Sequence, residues 1–362
     1  MARVRGAARR LLQFIRGVDI VLVLGIESSC DETAAALVED GSAVLSNIVA
    51  SQVDTHRSWG GVVPELASRE HLRNIGLVVR AAFRDAGKAS GQIDGIAVTQ
   101  GPGLIGSLLV GLSFAKAMAF ALNKPLVPVN HIEGHIYSAS IEHTGIPFPR
   151  LALVVSGGHT SLILSPEPEH YLPVARTRDD AAGEALDKLA KFLGLGYPGG
   201  PVIDRLARQG DPDRYRFSIP KISDGSLDFS FSGFKTAALR TIEQAGIRPC
   251  RGKERPSKQI LDLVASYQRA IVDTLVAQTR KAVLQHRPQS VLLVGGVACN
   301  TLLRRTFTET FESGRAGCRV WYPSPILTTD NAAMIAAAAT PKLARGVSAG
   351  LNLNAFADLP LC

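Results

Sequence analysis

Each half of this 362-residue chain opens in the same way, with two apolar runs folded about a short polar or glycine-rich turn. Val21–Gly25 and Ala34–Glu39 flank the turn Glu27–Thr33. Leu151–Val155 and Thr160–Leu164 flank Ser156-Gly157-Gly158-His159. Short apolar runs bounded by turn residues read as buried strands, and Gly-Gly between two of them signals a hairpin. In the first half, Ser42–Ser51 alternates as a third strand and Pro64–Ala86 has helical spacing. Ile93–Thr99 is a short strand, the turn Gly101–Gly106 leads into an apolar helix, and Leu126–Val129 is a further strand, giving βββ-α-β-α-β. The second half continues with a helix over Asp180–Phe192 and a Gly/Pro loop over Gly194–Pro201. A long helix over Ile260–His286, a strand over Val291–Val294 and a helix near Asn300 follow. An Ala-rich helix runs from about Asp330 to Thr340. Asp228–Lys235 reads as a half-buried strand and residues 243–258 as a surface loop. The repeated opening predicts a duplicated α/β lobe, with the ligand site expected in the cleft between lobes. The expected division is 21–130 for the first lobe, with 331–352 packing back on it, and 131–330 for the second.

The balance of residues suits two such lobes: 46% are hydrophobic and 20% charged, enough to build ordinary cores. Five cysteines, at 30, 250, 299, 318 and 362, are odd in number, far apart and without a C-x-x-C pair. That pattern argues against a disulfide framework or a structural zinc module and for a reducing compartment. The net charge of +8 favours an acidic partner such as RNA. Part of the excess is local, because residues 1–18 carry Arg3, Arg5, Arg9, Arg10 and Arg16 and no acid. Residues 1–20 therefore read as an N-terminal extension, either a disordered tail or a start codon placed too early, with a mitochondrial transit peptide as the alternative. The expected location is accordingly the cytoplasm, or the mitochondrial matrix under that alternative. Leu104–Leu122 is mostly apolar but contains Lys116, Gly106, Ser107 and Gly111. It reads as a helix buried between sheet layers, and no membrane partner is expected.

His131-Ile-Glu-Gly-His135 places two imidazoles at i and i+4, on one face of a helix, where both reach one ion. Asn130 can cap that helix, with Glu133 at the third position of a capping box. A zinc protease needs the glutamate directly after the first histidine. Glu133 sits two residues on, which disfavours peptide hydrolysis. Taken alone, such a pair is more often two ordinary histidines than a site, and a third ligand must come from elsewhere. Thr328-Thr329-Asp330-Asn331 supplies a donor in Asp330, whose plain reading is the N-cap of the helix that follows. The turns Ser28–Thr33 and Ser156–His159 expose backbone N–H groups and hydroxyls of the kind that wrap phosphate. Asp31 and Glu32 lie in the first of them. Gly295–Asn300 resembles a strand–turn–helix nucleotide contact, Asp187 reads as an i,i+4 partner of Lys191, and Asp204 is a possible acceptor from a sugar hydroxyl.

Seven motifs occur in one order: 25–33 (GIESSCDET), 60–68 (GGVVPELAS), 101–106 (GPGLIG), 131–135 (HIEGH), 155–160 (VSGGHT), 228–233 (DFSFSG) and 329–331 (TDN). Over about residues 21–352 the chain resembles the tRNA N6-adenosine threonylcarbamoyltransferases of the bacterial and organellar type, formerly labelled O-sialoglycoprotein endopeptidases. The resemblance implies an actin-like ATPase fold of two RNase-H-like lobes with a central cleft. It implies an acyltransferase that moves a threonylcarbamoyl group from threonylcarbamoyl-AMP to N6 of the adenosine beside the anticodon, in tRNAs reading codons that begin with A. It implies one divalent metal, iron(II) with zinc as the alternative, on His131, His135 and Asp330. Substrate contacts fall on Val154, Val155, Ser156, Gly157, Gly158, Asp187, Gly200, Asp204 and Asn300. Asp31 or Glu32 is expected to position the incoming amine. Partners implied for a bacterial member are a paralogous inactive-type subunit (TsaB-like) and an ATPase subunit (TsaE-like). The chain departs from the family pattern at Asn130, where many members have histidine, and at Cys299, beside the retained Asn300. The rival readings are a small-molecule kinase of the same fold and a non-catalytic scaffold subunit. The first has no need of the histidine pair, and the second typically loses it.

Overall fold

Strand periodicity and burial on both faces set the first sheet. The computed structural model describes residues 20–219, 222–252, 254–312 and 318–362, so all but Ile20 of the N-terminal extension lies outside the described residues. Strands β1 (Leu22–Glu27), β2 (Glu32–Glu39) and β3 (Ala43–Ser51) form an antiparallel meander. A short helix α1 (Val53–Arg57) and the long helix α2 (Pro64–Ala86) lead to β4 (Gly95–Gly101), which pairs parallel with β1. Helix α3 (Ile105–Leu122) then returns the chain to β5 (Leu126–Asn130), parallel to β4. The strand order is β3-β2-β1-β4-β5.

Every residue of β1 is buried, as a central strand covered on both faces requires. Leu22, Leu24 and Ile26 share one core with Ile75, Val78 and Val79 of α2 and Leu108, Leu112 and Ala115 of α3. Gly25, between them, meets a C-terminal helix described below. Helix α3 differs from expectation. Its stripe Ser107, Leu108, Gly111, Leu112, Ala115 and Ala119 is buried, whereas Ile105, Leu109 and Phe120 are exposed. It covers one sheet instead of lying between layers. Among the described residues it is the one helix long and apolar enough to cross a membrane, and its buried stripe lies on β4.

After helix α4 (His131–Glu142) the pattern repeats. Strands β6 (Arg150–Val155), β7 (Thr160–Ser165) and β8 (Leu172–Arg176) form a second antiparallel meander. Helices α5 (Ala182–Phe192), α6 (Gly199–Ala207), α7 (Ser232–Gln244) and α8 (Lys258–His286) precede β9 (Ser290–Val294), which pairs parallel with β6. Helix α9 (Thr301–Phe311) leads to β10 (Arg319–Trp321), parallel to β9. The order β8-β7-β6-β9-β10 repeats that of the first sheet. Leu151, Leu153 and Val155 of β6 pack with Leu186 and Leu189 of α5 and with Leu263, Tyr267 and Ile271 of α8.

The chain ends with α10 (Pro325–Thr328) and α11 (Ala332–Ala344), the latter laid across β1, β2 and β4. Contacts divide the molecule into two units. One holds the described residues up to Ser51, Ala67–Tyr137 and Asn331–Leu359, and the other holds Gln52–Leu66, Ser138–Asp330 and Pro360–Cys362.

Three local expectations are corrected. Asp228–Lys235 is not a strand: Phe229 makes an isolated bridge to Thr177, and α7 begins at Ser232. Asp179 holds that start, accepting from the N–H groups of Phe231 and Ser232 and from the hydroxyls of Ser230 and Ser232. The Gly/Pro loop is shorter than expected, because α6 begins within it at Gly199. Helix α11 does not stop at Thr340 but runs through Pro341 to Ala344, and Thr340 returns its hydroxyl to the Ala336 carbonyl at 2.9 Å.

Candidate metal centre and substrate turns

Strand β5 ends one residue before the first histidine, so the sheet edge fixes where α4 starts. Asn130 caps it as expected, its Oδ1 accepting the Ile132 N–H at 2.9 Å. Glu133, the residue of the expected capping box, pairs with Lys342 of α11. His131 and His135 are buried, at 4% and 0% exposure, with ring centroids 4.7 Å apart and planes at 78°.

Helix α11 brings the third donor. Its N-cap is Asn331, which accepts the Met334 N–H at 3.1 Å. The plain reading of Asp330 as that cap is therefore wrong by one residue, and the Asp330 carboxylate is not the group that caps the helix. One nitrogen from each histidine and one Asp330 oxygen lie within 4.8 Å of one another. Asp330 sits at the boundary of the two units, and its position follows from its peptide link to Asn331. Two glycines permit this approach. A Cβ on Gly25 of β1 would stand 2.2 Å from the Ala332 carbonyl oxygen, and one on Gly134 of α4 would stand 2.8 Å from Ile335 Cδ1. The backbone contact at Gly25 leaves no room for a side chain under the first turn of α11, and at Gly134 the Ile335 side chain would have to move aside.

Glu27, at the end of β1, was legible only as a turn residue and proves to be part of the centre. It is fully buried. Its Oε1 accepts the Ser29 N–H, and its Oε2 accepts the Thr99 hydroxyl at 2.7 Å and lies 3.1 Å from His131 Nδ1. A carboxylate only accepts, so Nδ1 carries the proton and the lone pair of His131 is on Nε2, the form a metal ligand needs. Two imidazoles and a carboxylate, the first imidazole backed by a second carboxylate, fit a divalent metal such as iron(II) or zinc.

The turn between β1 and β2 serves this centre more than it serves an anion. Ser28 and Ser29 are buried. Ser28 Oγ donates to the Ser107 carbonyl at 2.9 Å, and Ser29 Oγ lies 3.2 Å from His131 Nδ1. The expected phosphate cradle over Ser28–Thr33 is therefore not open at its first two residues. Buried His71, missed in the sequence, clasps the turn: Nε2 donates to the Cys30 carbonyl at 3.0 Å and Nδ1 accepts the Thr33 hydroxyl at 2.8 Å. Asp31 is nearly buried, and Glu32 is half-buried with the Ser51 hydroxyl 3.2 Å from Oε1.

The turn after β6 is different. Gly157 and Gly158 are exposed, with open space where a Cβ would stand. The turn is closed by Ser156 N–H to the His159 carbonyl at 2.8 Å and by His159 N–H to Ser156 Oγ at 3.1 Å. Val154 and Val155 are fully buried in the central strand, so they position this turn without offering side chains to a ligand.

Helix α5 starts beside the turn, the Gly183 N–H donating to the Ser156 carbonyl at 3.3 Å. One turn on, Asp187 accepts the N–H groups of Gly199 at 2.7 Å and Gly200 at 3.3 Å, which fastens the start of α6. This linkage replaces the simple surface-pair reading of Asp187, and Lys191 reaches the Trp59 carbonyl. Asp204, on α6, accepts the Thr301 hydroxyl at 2.9 Å and pairs with Arg208 at 3.0 Å. Asn300 caps α9 through the Leu303 N–H at 3.0 Å and donates to Gln268 at 3.1 Å. Asp187, Gly200, Asp204 and Asn300 are thus joined through α5, α6 and the start of α9. Burial pushes up the thiol pKa of Cys250, Cys299 and Cys318, which keeps these three protonated and poor nucleophiles.

Comparison with known proteins agrees with this layout. In solved structures the fold resembles HypF of T. kodakarensis (TM-score 0.59, 15% identity, 90% of this chain and 48% of that one). It also resembles a phosphate- and nucleotide-bound full-length HypF (TM-score 0.58, 12% identity, 89% of this chain and 46% of that one). The chain has the actin-like ATPase fold, its two α/β lobes sharing one strand order. A family profile described as tRNA N6-adenosine threonylcarbamoyltransferase matches residues 43–337. The protein of that name from Koribacter versatilis is 50% identical, covering 94% of this chain and 99% of its own. Its counterpart from Syntrophotalea carbinolica is 51% identical, covering 94% and 97%. The chain belongs to the tRNA N6-adenosine threonylcarbamoyltransferase family.

Proposed function

We propose that this chain transfers a threonylcarbamoyl group from threonylcarbamoyl-AMP to N6 of the adenosine beside the anticodon, forming t6A. The observation that carries the reading is the convergence of His131, His135 and Asp330 donor atoms within 4.8 Å in a member of this family. The adenine N6 amine is a poor nucleophile, so the acyl carbon must be activated. In the transfer N6 bonds to the carbamoyl carbon, the bond from that carbon to the phosphate oxygen breaks, AMP leaves and N6 gives up a proton. His131, His135 and Asp330 would hold a divalent metal, iron(II) or else zinc, which when bound would supply positive charge to offset that of the departing AMP.

The chain's own residues do the rest. Glu27 holds His131 in its ligating tautomer. The exposed N–H groups of Gly157 and Gly158 are donors for the phosphate side. Asp187 keeps Gly200 in place at the start of α6, and Asp204 and Asn300 are the contacts this reading assigns to the nucleoside. Asp31 or Glu32 orients the incoming amine. A paralogous inactive-type subunit and an ATPase subunit are the partners this reading takes for a bacterial member. The test is complementation of a strain lacking the transferase, followed by mass spectrometry of its tRNA nucleosides. Threonylcarbamoyladenosine should return, and its absence with folded protein and matched partners overturns the reading.

A further inference from the structure

The surface around the C-terminal end of α5 gathers an exposed indole and unpaired cations. Trp59 is 61% exposed, an unusual place for the largest apolar side chain. The turn that carries it is fixed in the backbone: the Trp59 main-chain N–H donates to the His56 carbonyl at 3.0 Å, and that of Gly60 donates to the same carbonyl at 3.1 Å. His56 is itself fully buried, with Nε2 3.1 Å from Gln52 Oε1 and Nδ1 accepting the Val63 N–H at 3.3 Å. Lys191, in the last turn of α5, sets its Nζ 3.4 Å from the Trp59 carbonyl.

The other cations meet the same helix end. Lys235 Nζ lies 5.8 Å from the centroid of the Phe192 ring. The loop after α7 is fastened by the Cys250 N–H to the Leu193 carbonyl at 2.9 Å. That loop carries exposed Arg248, Arg251 and Arg255. Arg248 and Arg255 line a cavity of about 360 Å3, together with Glu254, whose carboxylate accepts the Arg251 backbone N–H at 3.1 Å. Among the described residues no carboxylate lies within ion-pair distance of Lys191, Lys235, Arg248, Arg251 or Arg255.

An exposed aromatic on a fixed turn, with cations left without acidic partners, matches what a looped RNA strand offers: an unstacked base and closely spaced phosphates. We infer that this surface is where the anticodon arm of the tRNA docks, with Trp59 stacking a loop base and Arg248 and Arg255 holding backbone phosphates. Phosphate is matched by the guanidinium fork, and a stacked base needs no sequence-specific partner. The inference rests on the proposed tRNA substrate and names the residues that receive it.

The test uses the full chain carrying Trp321→Phe, so that indole fluorescence reports Trp59 alone, titrated with an anticodon stem-loop RNA and with a fully paired RNA of equal length. Saturable quenching by the looped RNA and not the paired one is expected. In transfer assays with partner subunits, Trp59→Ala should raise KM for tRNA roughly tenfold to hundredfold, with Trp59→Phe restoring most of the loss. Arg248→Glu with Arg255→Glu should lower the slope of log affinity against log salt by about 1.4 to 1.8. A KM within twofold for Trp59→Ala, equal quenching by paired RNA, or quenching by a partner subunit but not by RNA would each overturn it. The fluorescence arm needs no turnover, so failure of the transferase reading itself appears separately, as wild-type protein that forms no product.

Discussion

Glu27 Oε2 lies 3.1 Å from His131 Nδ1, and the two residues stand 104 positions apart in the chain. The relationship puts the proton of His131 on Nδ1 and leaves the lone pair on Nε2. Glu27→Gln keeps the size of the side chain but removes the acceptor charge. Metal titration of this variant should show affinity lower by roughly 10- to 100-fold with an unchanged circular dichroism spectrum. Unaltered affinity would mean that Glu27 only fills space.

Asp330 and Asn331 are adjacent and predict opposite results. Asp330→Asn should lower bound metal in elemental analysis, and with both proteins stripped of metal its thermal stability should stay close to wild type, because Asn331 is the helix cap. Asn331→Ala should cost about 1 kcal/mol in denaturant unfolding through the lost cap. If Asp330→Asn lost the stability and Asn331→Ala did not, the assignment of the cap would be reversed.

Gly25→Ala places a methyl 2.2 Å from the Ala332 carbonyl oxygen and 2.9 Å from the Ala336 nitrogen, both backbone atoms of α11. The helix must shift, at a cost of about 1–3 kcal/mol, and Asp330 moves with it. Calorimetry should show a lower Tm, and elemental analysis less metal. Gly76→Ala, on α2 with open space around the added carbon, should leave Tm equal or raise it.

Much of this architecture was legible because its signals are local. The meander from β1 to β3 and the helix Pro64–Ala86 follow from apolar periodicity within single segments, and HIEGH carries its own geometry. What was missed depends on distant partners. Strand β8 is a five-residue edge strand with Pro173 inside it and Leu172 exposed, and proline argues against a strand until the partner strand is known. Helix α6 begins with Gly-Gly-Pro, which reads as a breaker until Asp187 supplies acceptors for its first N–H groups. The Phe-Ser alternation before α7 mimics a strand, and Asp179, about fifty residues earlier, turns it into a helix start. Glu27 read as a turn acid and His71 gave no signal because their partners, His131 and the Cys30–Thr33 segment, are remote in sequence.

Asp179 also predicts a pH dependence. Burial pushes its carboxyl up, and the hydrogen bonds from Ser230, Phe231 and Ser232 together outweigh that, holding it below its ordinary value of 3.8. A lowered folded pKa stabilises the protein above that ordinary value, and the stabilisation is lost as pH falls through the folded one. Asp179 is exposed to solvent, so Asp179→Ala should cost about 0.5–1 kcal/mol at pH 7. The difference from wild type should shrink in unfolding curves taken toward pH 3. A constant difference from pH 7 to pH 3 would contradict the assigned role of the carboxylate.

Threonylcarbamoyl transfer by these residues, as proposed, depends on the metal that His131, His135 and Asp330 would hold. Its most direct test is a reconstituted reaction with threonylcarbamoyl-AMP, tRNA and partner subunits, with digested tRNA analysed by mass spectrometry. Wild-type protein should form threonylcarbamoyladenosine, and His135→Ala, folded but depleted of metal, should form little or none. No product from folded wild-type protein, or equal product from His135→Ala, would contradict the account.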